Sequence, residues 1–128
     1  EACGPAYRGR VDLVVPVPLH RTRLVERGFD QAVLIARPLA RALARPLVAR
    51  ALSRIRATAP QSSLDARARA ENVAGAFVPT SSGRRALPGR RVLLVDDVRT
   101  TGATLDECAR VARDAGAIEV LALALAAA

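Results

Sequence analysis

Val92-Leu93-Leu94-Val95-Asp96-Asp97-Val98-Arg99-Thr100-Thr101-Gly102-Ala103-Thr104 decides the fold. Its first four residues are apolar and β-branched enough for a buried strand. Two carboxylates stand where that strand should end, and a small polar loop follows. Beyond it Leu105, Cys108, Ala109 and Ala112 recur at i, i+3, i+4 and i+7, with Asp106, Glu107, Arg110 and Arg113 on the other side. That is the pattern of an amphipathic helix. Gly116 is placed to stop it in a left-handed cap. The order is strand, acidic pair, polar loop, helix N-terminus.

This order has a chemical use. A helix N-terminus offers unpaired N–H groups and a partial positive charge, which suits a phosphate. Gly102 lets a ligand approach the backbone, and Thr100, Thr101 and Thr104 add hydroxyl donors. Asp96 and Asp97 accept hydrogen bonds from sugar hydroxyls or help hold a hydrated divalent cation. Carboxylates beside a phosphate cradle point to a phosphorylated sugar.

Outward from this stretch the chain alternates strands and helices. Residues 1–10 carry Gly, Pro and charge without period and read as a disordered lead-in to one domain over 11–128. Val11 to Val17 reads as a first core strand, broken at Pro16-Val17-Pro18. Arg27-Gly28-Phe29-Asp30-Gln31 opens a helix with Asp30 as N-cap. In it Ile35, Leu39 and Leu43 form the apolar stripe and Arg37, Arg41 and Arg45 the wet face. Pro38 should kink that helix or delay its start. Leu47 to Leu52 is expected as a second strand and Arg54 to Leu64 as an exposed loop. Asp65 to Val73 suits a short helix, Ala76 to Val78 a short strand, and Thr80 to Gly89 a loop. Arg90 to Val95 is the central strand and Ile118 to Leu125 the closing one. The expected class is α/β, an open and mostly parallel β-sheet flanked by helices on both faces. Ligands of such sheets sit at the carboxyl ends of the strands, where Val17-Pro18 and Asp96-Asp97 should emerge.

The bulk numbers bound the reading. The chain has 128 residues, enough for one core, and a formal net charge of +8. All its basic residues are Arg, which suits a polyanionic ligand, although an Ala- and Arg-rich composition also accounts for many of them. Two Phe and one Tyr supply little for base stacking. Cys3, Cys108 and His20 cannot make a four-ligand zinc site in one chain. Cys108 falls on the inward helical stripe and reads as core. Charges interrupt every apolar run long enough to cross a bilayer, and no secretory signal is visible, so no membrane insertion and a cytoplasmic location are expected. A first residue other than Met reads as a trimmed chain or a fragment. A phospho-acceptor receiver needs a lysine, and the chain has none. Gly-x-Gly-x-x-Gly and the P-loop Gly-Lys-Ser/Thr are both absent.

From Val92 to Thr104 the chain resembles the phosphoribosyl pyrophosphate (PRPP) signature of type I phosphoribosyltransferases. Pro16-Val17-Pro18-Leu19-His20, Arg27-Gly28-Phe29-Asp30-Gln31 and the Arg-x-Arg-x-Thr-x-x-Gln segment from Arg54 to Gln61 resemble the ComF family. The resemblance runs from about Val11 to the C-terminus. It lacks the N-terminal four-cysteine zinc module that ComF relatives often carry. Asp30 stands where the family usually has Asn, which favours capping over a ligand role, and Arg69-Ala-Glu-Asn72 keeps an Arg-x-x-Asn pattern.

The resemblance implies a PRPP site and transfer of the phosphoribosyl group with loss of pyrophosphate. Asp96 and Asp97 would grip the ribose hydroxyls, and Thr100, Thr101, Gly102, Ala103 and Thr104 the 5′-phosphate. The Pro16 to Leu19 turn, with Val17 and Pro18, would meet the pyrophosphate, with Arg21 or Arg23 nearby. Arg54 and Arg56, on a loop that closes over PRPP in this family, would supply charge to the leaving group; Arg56 joins the aspartates as a catalytic candidate. Mg2+ would arrive with PRPP, held by substrate oxygens and water, with Asp96 and Asp97 reaching it through water. The alternative reading is a single-stranded DNA-binding protein acting with DNA-uptake proteins in natural transformation, with Arg54 and Arg56 as contacts. Dimers are common among type I relatives, and the resemblance allows a homodimer.

Overall fold

The computed structural model describes residues 9–18, 31–55, 65–97 and 102–125. Its centre is β4 (Arg91–Asp97), whose Val92 to Val95 are all buried. β1 (Leu13–Pro16) pairs with it in parallel, from Leu13 opposite Val92 to Pro16 opposite Val95. On the other side β5 (Glu119–Leu125) is also parallel, from Glu119 opposite Arg91 to Leu125 opposite Asp97. The order β1-β4-β5 is the parallel sheet the alternating pattern requires, and both faces are covered.

Each face has its own core. α1 (Gln31–Leu43) lies on one, where Ala36, Leu39, Ala40 and Leu43 meet Val11, Val14, Leu93 and Val95. α4 (Gly102–Asp114) lies on the other, where Cys108, Val111 and Ala112 meet Leu13, Val15, Val92 and Leu94. Odd and even strand residues separate onto the two faces because strand side chains alternate. The expected wet face of α1 is exposed at Arg37 and Arg41, whereas Arg45 lies beyond the helix end at Leu43 and its Nε donates to Val11 O at 2.9 Å. Pro38 neither delays nor ends α1: it sits in the exposed part of a helix already begun at Gln31. The Asp30 cap lies outside the described residues.

Four expectations are corrected. First, Leu47 to Leu52 is not a strand of the main sheet. The segment touches it only around Leu47, in an isolated bridge to Val14, and the strand forms later as β2 (Leu52–Arg54). β2 pairs antiparallel with β3 (Phe77–Pro79), outside the parallel sheet. Second, Arg54 therefore belongs to a strand, not a loop, and its guanidinium lies 4.7 Å from the centre of the Phe77 ring. Third, Thr80 to Gly89 contains α3 (Ser81–Ala86). Thr80 caps it, accepting from Gly83 N at 3.0 Å, so the Ser/Gly composition that reads as loop is a helix start. Gly83 is glycine because a Cβ there would lie 2.1 Å from the Ala51 carbonyl oxygen. Fourth, β4 does not stop at Val95. Asp96 and Asp97 are its last residues, paired with Ala124 and Leu125.

The other boundaries agree within a residue or two. α2 (Ala66–Val73) is capped by Asp65, which accepts from Ala68 N at 2.8 Å. Gly116 ends α4 with φ +111. At the amino end of the sheet Asp12 and Arg91 lock β1 to β4. Arg91 donates from its backbone N (2.7 Å) and Nε (3.1 Å) to Asp12 Oδ2, and from Nη2 to Oδ1 at 3.1 Å. Its Nη1 also reaches Gly9 O at 2.8 Å.

Candidate functional site

A parallel sheet gathers all its carboxyl ends at one rim, and three of the elements meet there. β1 carries its pairing one residue beyond Pro16, with Val17 N donating to Val95 O at 2.9 Å. Val17 is buried and Pro18, next along the chain, half-buried. β4 brings Asp96 and Asp97 to the same rim, one register step beyond Val17's partner. α4 starts at Gly102 and runs back along the sheet to reach β5, so its N-terminus lies at this rim as well.

Asp96 is 7% exposed and Thr104 3% exposed; they are the buried polar residues among those described. Alternation from Val92 and Leu94 puts Asp96 on the α4 face of the sheet. Thr104 heads the inward stripe that continues through Cys108, Val111 and Ala112. It is therefore packed beneath the helix start, while Gly102 is exposed and Ala103 half-buried. As the N-terminus of a helix, this start brings the positive end of the helix dipole to the rim.

Gly102 is unusual among the glycines. Its φ is not left-handed, and among the described residues a Cβ built on it would meet nothing within 4 Å. Gly83 is demanded by the Ala51 carbonyl, and Gly116 by its φ of +111 and by Pro88 Cα at 2.9 Å. The described residues make no such demand at Gly102.

The electrostatics of the rim are read through Cys108. Burial pushes its thiol up; Arg54 opposes that shift, and Asp96 and Glu107 add to it. Arg54 and Asp96 thus both act on the same buried group, one from β2 and one from β4. Glu107 joins α4 to the turn before β3. Its Oε2 accepts from Gly75 N at 3.0 Å and from Arg110 Nη2 at 2.7 Å, which holds its carboxyl below the usual range, chiefly through Arg110. This tie has no sequence signal, since it rests on contact between residues 32 apart in the chain.

Of the sequence candidates, the structure brings Val17, Pro18, Asp96, Gly102, Ala103 and Thr104 to one rim, together with the backbone of Asp97. Arg54 lies on β2. Arg21, Arg23, Arg56, Thr100 and Thr101 lie outside the described residues, as does His20. Among the described residues no group of three or more His, Cys, Asp or Glu could hold a metal ion, and no helix is long and apolar enough to cross a membrane. A cleft of about 470 Å³ opens elsewhere, between Phe77, Pro79, Arg84, Arg110 and Asp114. Asp114 is the last residue of α4 and Gly102 the first. At 1.5 Å per residue those ends are roughly 18 Å apart, so the cleft is not part of the rim.

Comparison with known proteins agrees with this geometry. The model of the phosphoribosyl transferase domain matches residues 30–128. Competence protein F of Haemophilus influenzae is 38% identical over 115 residues, covering 90% of this chain and 50% of that protein. DNA utilization protein YhgH of Escherichia coli K12 is 42% identical, covering 85% and 46%. Competence protein ComFC of Bacillus subtilis is 34% identical, covering 86% and 42%. The chain thus spans about half the length of the curated relatives it matches. Among solved structures, the allosteric regulatory enzyme of purine biosynthesis has the same fold, with a TM-score of 0.58 at 24% identity over 89% of this chain and 22% of that one. Glutamine PRPP amidotransferase of B. subtilis matches at 0.56 and 23%, over the same shares. Motif, parallel topology and matched residues converge: the chain belongs to the phosphoribosyl transferase domain family, in the ComF group of competence protein F and its relatives.

Proposed function

We propose that the chain binds PRPP at the carboxyl rim of its parallel sheet. The observation that carries this reading is Gly102, a glycine at an exposed helix N-terminus that neither its backbone conformation nor the atoms of the described residues require. Glycine costs a helix about 1 kcal/mol relative to alanine. Its retention there makes sense when a ligand must come within hydrogen-bonding distance of the backbone. A 5′-phosphate fits that place, on the first N–H groups of α4. Asp96, buried one strand position from the rim, and Asp97 after it would accept from the ribose hydroxyls. Val17 and Pro18 would face the pyrophosphate.

The donor set suits Mg2+ that enters with PRPP. A buried Asp and its neighbour give too few ligands for a protein cage, and Mg2+ commonly keeps phosphate and water ligands. The ion would supply charge neutralisation on the departing pyrophosphate. The chain's own part would be to hold the ribose and phosphate in place and keep water from the anomeric carbon. In the transfer, the bond from that carbon to pyrophosphate would break with its electron pair, and an acceptor nucleophile would bond in its place and lose its proton.

Binding is tested by titrating the chain with PRPP, with and without Mg2+, by calorimetry. Saturable, Mg2+-dependent heat that disappears in Asp96→Asn supports the reading. No heat from a folded sample sinks it.

A second reading is single-stranded DNA binding, in keeping with the names of the relatives, a net charge of +8 and the exposed Arg37 and Arg41 on α1. It expects affinity that falls steeply with salt. Charge reversal at Arg37 and Arg41 should weaken it, whereas Arg54, stacked on Phe77, is a poorer contact than its sequence position suggests.

A further inference from the structure

We propose that the outer edge of β5 pairs antiparallel with β5 of a second copy of this chain, joining two three-stranded sheets across a two-fold axis at Ala122. The two edges of the sheet are treated differently. Beyond β1, the segment around Leu47 closes the edge: Val14 N donates to Pro46 O and Val48 N to Val14 O, both at 2.9 Å. Beyond β5 no strand among the described residues pairs. β5 is also a long edge, seven residues from Glu119 to Leu125.

Exposed edges are normally blunted by lysine, proline, inward charges or bulges. β5 has none of these: after Glu119 it reads Val-Leu-Ala-Leu-Ala-Leu. Its surroundings are apolar too. Ile118, just before it, is 68% exposed. Leu121 and Leu123 are only partly buried against the α1 core, and Ala122 and Ala124 are exposed on the opposite face.

The pattern selects the occupant. Residues directly opposite in a sheet must share a face, so a self-pairing needs register sums that are even. Centring on Ala122 pairs all seven residues. Leu121 then faces the partner copy's Leu123, and Leu123 its Leu121, on one face. Val120 faces Ala124 on the other, with Ala122 opposite itself. Large residues meet large ones beside α1, and small ones meet beside α4. No charge opposes a like charge, since Glu119 falls opposite Leu125. In a molecule of net charge +8, this strand without an arginine is where two copies approach with least repulsion. A nucleic acid would need cations there and finds none. The two PRPP rims would point in opposite directions, because antiparallel pairing reverses one sheet relative to the other. The proposal is independent of whether either rim binds PRPP.

The test is the mass of the chain in solution, by sedimentation equilibrium over a wide range of concentration. Wild type is expected to reach twice the 13.5 kDa of one chain. Ala122→Lys places a like charge on the two-fold axis, and its mass is expected to fall to 13.5 kDa, with the circular dichroism and melting curve of a folded domain. Mixing Ala122→Lys with Ala122→Glu is expected to restore the doubled mass. A wild type that stays at one chain, a doubled mass in Ala122→Lys alone, or a Lys/Glu mixture that remains single would each overturn the proposal. A wild type that is single would leave the edge to another protein segment.

Discussion

Gly102→Ala separates what the fold needs from what a ligand needs. The added methyl meets nothing within 4 Å among the described residues, and the φ of Gly102 is one that alanine adopts freely. Without ligand, the substitution should therefore stabilise, by about 0.4–1 kcal/mol, through reduced freedom of the unfolded chain and better helix propensity. For a domain of 128 residues each kcal/mol moves the melting temperature by roughly 4 °C, so a rise of about 2–4 °C is expected. With PRPP the sign reverses. A phosphate oxygen on the first N–H groups of α4 would sit where the methyl now stands. Loss of one hydrogen bond to a charged group costs about 1.5–3 kcal/mol, or roughly a ten- to hundredfold weaker Kd. At a ligand concentration one hundred times Kd, the wild type gains about 2.7 kcal/mol, about 10 °C. The variant, with its tenfold to hundredfold weaker Kd, should gain only about 0.4–1.4 kcal/mol at the same concentration, roughly 2–6 °C. The assay is a pair of calorimetric melts, with and without PRPP and Mg2+, followed by titration of each protein. A lower apo melting temperature in the variant would mean the glycine is structural. An unchanged PRPP affinity would refute the reasoning that places the phosphate there.

Two further outcomes test the scaffold. Arg91 holds the Asp12 carboxyl at about 2, down from 3.8, mainly through its side-chain hydrogen bonds and then its backbone N–H. A lowered folded-state value means this pair stabilises fully above about pH 4, and its contribution is lost as pH falls through about 2. Asp12→Asn should therefore lower the urea midpoint at pH 7 by an amount corresponding to about 1 kcal/mol, and the gap to wild type should close in acid; a gap independent of pH would contradict this. Gly83→Ala should destabilise by roughly 1–3 kcal/mol, because its Cβ would lie 2.1 Å from a backbone oxygen that cannot swing away. An unchanged denaturation midpoint would show that α3 is not seated on Ala51.

Where the chain repeats with a clear period, the structure was legible beforehand. Val92 to Val95 and the stripe Leu105, Cys108, Ala109 and Ala112 determine β4, α4 and their contact, because burial of both depends on residues close in sequence. The α1 stripe was legible for the same reason. The β2–β3 pair was not. Its strands are three residues each and join chain segments more than twenty residues apart, so local pattern says little about them. Thr80 to Gly89 misled through composition: Ser, Gly and Pro suggest a loop, but Thr80 is also a good N-cap, and the cap wins once Gly83 can press against Ala51. The acidic pair misled in a smaller way. Carboxylates are poor strand formers, yet β5 is long enough to pair with Asp96 and Asp97 and carries the strand to the rim. For the site, the motif placed the strand and helix ends together. It could not tell that Thr104 turns inward while Gly102 stays open, which depends on how α4 rolls against the sheet.

Several long-range ties among the described residues lie away from the rim. At the amino end, Asp12 and Arg91 bind β1 to β4, Ile118 N donates to Arg90 O at 2.9 Å, and Gly89 N donates to Gly116 O at 2.8 Å. Partway along α4, Glu107 ties the helix to Gly75, and Arg110 joins Glu107 to Asp114. A helix held along its body and at its far end presents its N-terminus at a set height above the strand ends. If a phosphate binds there as proposed, little ordering of α4 would have to accompany binding. Glycine at Gly102 then has a clear physical sense. The helix can bear a weak residue at its first position because its stability comes from elsewhere, and the proposed phosphate would then find that position open.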